Sequence, residues 1–350
     1  MASMQPDGLG SKQSADPSLG ADEAAGPGGG VSPAGSRGSS ASLWLRVFSV
    51  QDGVLIAYGL IVLLLLWRSD PSAAISATAR GISLCLLAIV IGTILARGVS
   101  DIPSAVRRSM YGALAVGVVL FNYLSLRDVL PIIRPDSLDA TLLALDKAIF
   151  GVEPALWLER FNERPIVEWF SFFYFGYFVI VGSYPIVNFW FVRINRYTTE
   201  FALGTALVYS VGQLGYMAVP GYGPIRYLEH EFAGPVNGGF WWGCVWATVQ
   251  AGSAMKDIFP SLHTAGPLFF ALYALRRAKA EPRWKWPARI TAFCSFNIII
   301  STVFLRWHYA IDVFAGIALA VSVRWAVPRI VTWEEKRRAR LGIPGVWDFS

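Results

Sequence analysis

The chain has 350 residues, of which 54% are hydrophobic and only 15% charged, with a net charge of +6. A soluble domain carries about 25% charged residues, so this composition and a mean hydropathy of +0.47 exclude an ordinary soluble globular protein, and continuous apolar runs that do not alternate exclude a membrane β-barrel. The basic residues cluster in short loops between apolar runs, where they set membrane topology, and no nucleic-acid-binding signature accompanies them.

Residues 1–42 are rich in Gly, Ser, Ala, Pro and Asp and show no apolar period. They lack the basic start and apolar core of a signal peptide and read as a disordered cytoplasmic tail. Apolar runs then predict spans at roughly 50–67, 80–96, 109–125, 166–192, 200–219, 261–276, 288–306 and 309–328, about eight in all. Each is long enough for a hydrocarbon core about 30 Å thick. Between the third and fourth, "SLDATLLALDKAIFG" places apolar residues at helical spacing with Asp139, Asp146 and Lys147 between them. This predicts an amphipathic helix on the membrane surface, stopped at Gly151 with Pro154 beyond.

The loops "ARGVSDIPSAVRR", "VRINRY", "RRAKAEPRWKWPAR" and "EEKRRARLG" follow spans two, four, six and eight, and all are basic. Positive charge on one side makes that side, with both termini, cytoplasmic. The alternate loops at 68–79, 126–165, 220–260 and around 306–309 then face the periplasm, the cell exterior or an organelle lumen. Cys85, Cys244 and Cys294 are far apart and form neither a disulfide framework nor a zinc site. Neither a metal nor another cofactor is expected.

Three segments carry candidate chemistry, and all three fall on the outward side. In "VPGYGPIRYL", Gly and Pro set a rigid turn after span five, and Arg226 offers a planar charge suited to phosphate or, equally, to a lipid headgroup. In "KDIFPSLHTAG", Pro260 suits the first turn of a helix whose free N–H groups and Ser261 hydroxyl form an anion site, and His263 can protonate a leaving oxygen. The bland alternative is an ordinary helix start. In "STVFLRWHYAIDVFAG", His308 and Asp312 are four apart and share a helix face, where a carboxylate orients an imidazole for nucleophilic attack. A buried polar pair tying two helices together is the alternative, and Gly316 allows close packing. His230 reads as a solvated loop residue. The tryptophans of "GGFWWGCVWATVQAG" read as an interfacial belt, or more sharply as a lid over a headgroup.

With these motifs in hand, the sequence resembles the type 2 phosphatidic acid phosphatase superfamily of membrane lipid phosphatases and phosphotransferases. Pro260, Ser261 and His263 match its second motif, and Ser301, His308 and Asp312 its third. The resemblance implies a six-helix catalytic core, with His308 as nucleophile forming a phosphohistidine and Asp312 orienting it. His263 would protonate the leaving group, and Arg226, Ser261 and Ser301 would lie at the phosphate. The pattern departs at three places: Val219 stands where a lysine is usual, Leu262 where a glycine is, and Thr302 where an arginine is. In the "PSLH" motif and the residue after Ser301 the chain is more similar to the inositol phosphorylceramide synthase branch. Arg306 and Lys256 are candidates to replace the missing cations, or are interfacial anchors.

The expected organisation is an all-α polytopic bundle. A tail at 1–42 precedes two accessory helices in 43–108, a catalytic domain over 109–330 and a basic cytoplasmic tail at 331–350. The expected partners are membrane lipids, a phosphatidyl-polyol donor and a lipid alcohol acceptor, and no nucleic acid. The expected activity is transfer of a polyol phosphate between lipids. The alternatives are hydrolysis of a lipid phosphate or polyprenyl diphosphate and, from another class, a proton-coupled transporter using His308 and Asp312.

Overall fold

Several helix starts in this chain are fixed by side chains that satisfy free N–H groups of the first turn. Ser49 and Asp52 form a reciprocal capping box at the start of α1 (Val50–Trp67). The computed structural model describes residues 46–69, 73–99, 101–252 and 254–349; the tail expected at 1–42 lies outside them. After α1 come α2 (Ala73–Gly98), α3 (Ser104–Ile133), α4 (Asp139–Phe150), the short α5 (Pro154–Leu158), α6 (Arg164–Ile186), α7 (Arg196–Ala218), the short α8 (Pro224–Tyr227), α9 (Phe240–Gly252), α10 (Leu262–Ala280), α11 (Lys285–Phe304) and α12 (Ala310–Leu341). No strand occurs among the described residues. The architecture is an all-helical polytopic bundle, and the protein is an integral membrane protein.

Six of these helices, α1, α2, α3, α6, α11 and α12, are long and apolar enough to cross a membrane. The fifth and sixth expected spans, α7 and α10, have the length but not that hydropathy. Burial supplies the reason. α7 places Glu200, Ser210 and Gln213 among its buried residues, and α10 places Arg277 there. A helix whose surface faces protein has no need of an apolar coat toward lipid. Its polar groups find partners instead: Arg277 reaches Asn188 at 2.9 Å and Glu281 at 3.0 Å, while Glu200 pairs with Arg196 at 3.0 Å and Arg276 at 3.1 Å. α7 and α10 approach closely at Gly204, where an added Cβ would lie 2.0 Å from the Phe269 ring.

Several boundaries differ from those read in the sequence. α3 extends at both ends past the expected 109–125 because its charged ends find partners. Arg108 donates to the carbonyls of Phe189 and Val192, and the carbonyls after the C-terminus receive the Lys256 ammonium. The expected loop at 238–252 contains a helix, α9. Its glycines depress helix propensity, but the Glu168 carboxylate accepts the N–H groups of Gly239, Trp241 and Trp242 at 2.8–3.1 Å and caps its start. Residues 331–350 are not simply a tail. Helix α12 continues to Leu341 with a Glu334–Arg338 pair at 2.8 Å and ends on Gly342 at φ +63°. Beyond it Trp347 is buried, stacked 4.5 Å from Phe189.

Helix α4 forms where the sequence places it and ends on Gly151. Its buried face holds Asp139, Leu142 and Asp146, while Leu145, Ile149 and Phe150 are exposed. The acids point into the protein and the apolar side chains outward, the orientation that lets such a helix rest on lipid while bonding to loops above the bundle.

Candidate active site

The three motif segments meet through backbone contacts that glycines permit. Gly223 has φ +77°, and a Cβ there would lie 2.3 Å from the Trp307 carbonyl oxygen. The Ile225 N–H donates to the Arg306 carbonyl at 2.7 Å, which joins the first segment to the third. The Ser261 N–H donates to the Asp312 carbonyl at 3.0 Å, which joins the second to the third. At that crossing Gly316 sits so close that a Cβ would fall 2.5 Å from the Ser261 carbonyl oxygen.

The acids of α4 brace this junction. Asp139 accepts the N–H groups of Tyr222 and Gly223 at 2.8 and 2.9 Å and the Tyr309 hydroxyl at 3.1 Å. Asp146 accepts the N–H groups of Ala310 and Ile311 at 2.6 and 2.9 Å, capping α12 from outside, where a carboxylate is stabilised by free N–H groups and the helix dipole. Glu153 lies against Asp146 and is almost fully buried; burial first, then the neighbouring carboxylates, pushes it up to about 8.

His308 and His263 face each other with ring centroids 6.0 Å apart. His308 does not share a helix face with Asp312, as the spacing suggested. It precedes the helix: Tyr309 is the N-cap, and Asp312 caps it in return by accepting its N–H at 3.0 Å. The imidazole Nδ1 stands 3.4 Å from Asp312 Oδ2, longer than a good hydrogen bond, and the ring also bonds to the backbone of Ile258. Burial lowers the His308 pKa to about 4, although the Asp257 charge and the Ile258 bond oppose it. The ring is therefore neutral at pH 7, the form that can attack. His263 is held between aromatic rings, stacked 4.5 Å from Tyr174 and tilted against Tyr177 at 4.3 Å, with its Nδ1 3.5 Å from the Tyr174 hydroxyl.

Both histidines line a cavity of about 360 Å3 with Tyr123, Tyr222, Asp257 and Trp307. His263 Nε2, Trp307 Nε1, His308 Nδ1 and Asp312 Oδ1 are buried without hydrogen-bond partners. Orphaned polar atoms at this density are costly unless a ligand satisfies them. The cavity shares Leu120, Tyr123 and Phe178 with a second cavity of about 290 Å3, lined almost wholly by apolar side chains of α1, α3, α6 and α7.

The other predicted residues are placed differently. Pro260 precedes the helix rather than entering its first turn, following a cis bond from Phe259, and Ser261 is the N-cap, its hydroxyl accepting the Thr264 N–H at 3.3 Å. Ser301 is buried and donates to the Ile298 carbonyl at 2.7 Å. Arg226 is exposed, 5.9 Å from the Tyr222 ring. Lys256 is buried and donates to the carbonyls of Arg134, Pro135 and Asp136 at 2.7–3.2 Å. Arg306 donates to the Gly234 carbonyl at 2.8 Å and pairs with Glu159 at 3.2 Å; it lines a separate cavity with His230, Trp242 and Trp246. So His263 and His308 line one space and Asp312 stands beside His308 without lining it, while Arg226, Ser261, Ser301, Lys256 and Arg306 are not part of that lining.

Sequence reading missed Asp257, Glu153 and the bracing role of Asp139 and Asp146. The seven-residue spacing of the two aspartates, two turns of one helix face, was the available signal. Among the described residues no group of His, Cys, Asp and Glu side chains is arranged to hold a metal ion. A family model described as the PAP2 superfamily matches residues 140–326, just over half of the chain, from α4 into α12. No curated protein and no solved structure matches the chain.

Proposed function

The chain belongs to the PAP2 superfamily, which carries a lipid phosphatase or phosphotransferase type of function, and on that premise we propose that it transfers a polyol phosphate between membrane lipids through a phosphohistidine. The observation that carries this reading is the pair of neighbouring histidines in a cavity that shares Leu120, Tyr123 and Phe178 with an apolar one. The polar end suits a phosphate ester and the apolar end a lipid chain.

In the first half-reaction His308, neutral at pH 7, attacks phosphorus of a phosphodiester lipid. A P–N bond forms and the P–O bond to the lipid alcohol breaks. An anionic phosphate beside His263 favours its imidazolium form, which protonates the departing oxygen. In the second half-reaction a lipid hydroxyl gives its proton to His263 and attacks phosphorus, and the P–N bond breaks to restore His308. Asp312 orients His308. The 3.4 Å separation of that pair is of the kind that tightens when substrate binds.

The similarity of "PSLH" and Thr302 to the inositol phosphorylceramide synthase branch supports a diester donor and a ceramide-like acceptor. Hydrolysis of lipid monophosphates or diphosphates is the second reading, favoured only if water takes the place of the acceptor. Thin-layer chromatography of labelled lipids decides between them. Transfer yields a new phosphodiester lipid that depends on added acceptor; a released water-soluble phosphate, independent of acceptor, would replace transfer with hydrolysis.

A further inference from the structure

A cavity of about 540 Å3 meets the histidine site at Trp307 and takes no part in the phosphoryl chemistry. Its volume falls in the range of about 300–1,000 Å3 typical of small-molecule sites. Its wall joins aromatic rings to charged side chains. Trp242 and Trp246 stand one turn apart on α9 with ring centroids 6.0 Å apart, and they approach the Trp307 ring at 5.9 and 6.0 Å. Glu229, His230 and Arg306 add hydrogen-bonding groups, and the Arg306 guanidinium lies over the Phe232 ring. Arg306 is turned to this wall by its backbone. Its φ of +67° is left-handed, a conformation that side chains other than glycine seldom adopt. It is held there by its N–H on the Val303 carbonyl and by the Ile225 N–H on its own carbonyl. Two residues later, His308 lines the histidine cavity, so one tripeptide serves both spaces.

The lining suits neither a bare anion nor a lipid chain. The Arg306 charge is already met by Glu159 at 3.2 Å, and Glu229 adds a carboxylate to the wall. An alkyl chain would strip water from Glu229 and His230 without replacing its hydrogen bonds. A ring bearing several hydroxyls satisfies both halves of the wall. Its C–H face packs on indole, while neighbouring hydroxyls donate to a carboxylate and accept from a guanidinium or an imidazole. We propose that this cavity binds a cyclic polyol, a sugar or cyclitol ring, with Trp242 and Trp246 as its platform and Glu229, His230 and Arg306 as its hydroxyl partners. The ring has two sources, the headgroup of a donor lipid or a free polyol; the first rests on the polyol-phosphate reading and deepens it with a headgroup subsite. In either case occupancy reaches the nucleophile through Trp307, which touches the platform and precedes His308 in the chain.

Saturation-transfer NMR with free myo-inositol on the purified full-length protein in detergent tests the site without any reaction. The wild type should bind saturably. Trp246→Ala and Glu229→Gln should each weaken binding by on the order of tenfold, and Trp246→Phe should retain it. Glu229 is exposed, so Glu229→Gln carries the test if Trp246→Ala does not fold. Turnover of two donor diesters then identifies the source: phosphatidylinositol, and phosphatidylethanol, whose headgroup has no hydroxyl. If the ring is the headgroup, both weakening variants raise the ratio of KM for phosphatidylinositol to KM for phosphatidylethanol about tenfold, and free inositol competes with phosphatidylinositol. An unchanged ratio with inositol binding weakened makes the ligand a free polyol. The proposal is overturned if the variants neither weaken inositol binding nor move that ratio. Turnover of neither donor by the wild type removes the transfer reading, and the NMR comparison alone then decides the site.

Discussion

Replacing Gly316 by alanine tests how the two histidine segments are held together. The new Cβ would lie 2.5 Å from the Ser261 carbonyl oxygen, 3.1 Å from Thr264 Cβ and 3.3 Å from its Cγ2. A backbone oxygen at that distance cannot swing aside as a flexible side chain does, so α12 and the start of α10 must separate. Overpacking of this kind costs about 1–3 kcal/mol. Weakening the Ser261–Asp312 backbone hydrogen bond adds about 1 kcal/mol. Since His263 is carried on one segment and His308 on the other, a displacement approaching 1 Å should also lower kcat/KM by about 100-fold. Gly176→Ala is the control: no atom lies within 4 Å of its added Cβ, and alanine in a helix gains about 0.5–1 kcal/mol over glycine. The assays are thermal unfolding in detergent and turnover of labelled lipid. Wild-type stability and activity in Gly316→Ala would refute the claim that this crossing sets the geometry of the site.

Two further perturbations follow from the environment of the cavity. An acid raised from 4.5 to about 8 by burial, as Glu153 is, binds more protons folded than unfolded, so stability falls as pH rises through that window. Glu153→Gln should remove about 2–4 kcal/mol of that loss, seen as a flatter unfolding temperature between pH 5 and 9, and an identical slope in both proteins would exclude Glu153 as its source. Leu120 lines both the histidine cavity and the apolar one and is half exposed. Leu120→Trp should raise KM for a lipid substrate about tenfold with kcat little changed, because it narrows the path of the chain and touches no reacting group; an unaltered KM would separate the two cavities functionally.

The long helices were legible because lipid demands continuous apolar runs, and all eight expected spans coincide with a helix. The two least apolar, α7 and α10, were still found because their Phe, Leu, Ala and Tyr content outweighs buried groups such as Glu200 and Arg277. Helix α9 was not legible. Its start is capped by Glu168, 71 to 74 residues earlier in the chain, and no local pattern announces such a cap. At the site, His263, His308 and Asp312 could be singled out by spacing because ionisable groups near membrane depth are rare. What spacing could not supply was direction. Lys256 and Arg306 look like phosphate cations in one dimension, yet in three they close a helix end and the loop at Gly234. Asp257, hidden beside Lys256 in the sequence, lines the cavity instead.

The central claim is that His308 becomes covalently phosphorylated. Mixing the purified protein with phosphorus-labelled donor lipid in the absence of acceptor, then quenching in base, tests it most directly. The account predicts an acid-labile label on His308 that is absent from His308→Ala and discharges when acceptor alcohol is added. Normal turnover by His308→Ala, or label recovered on another residue, would contradict it.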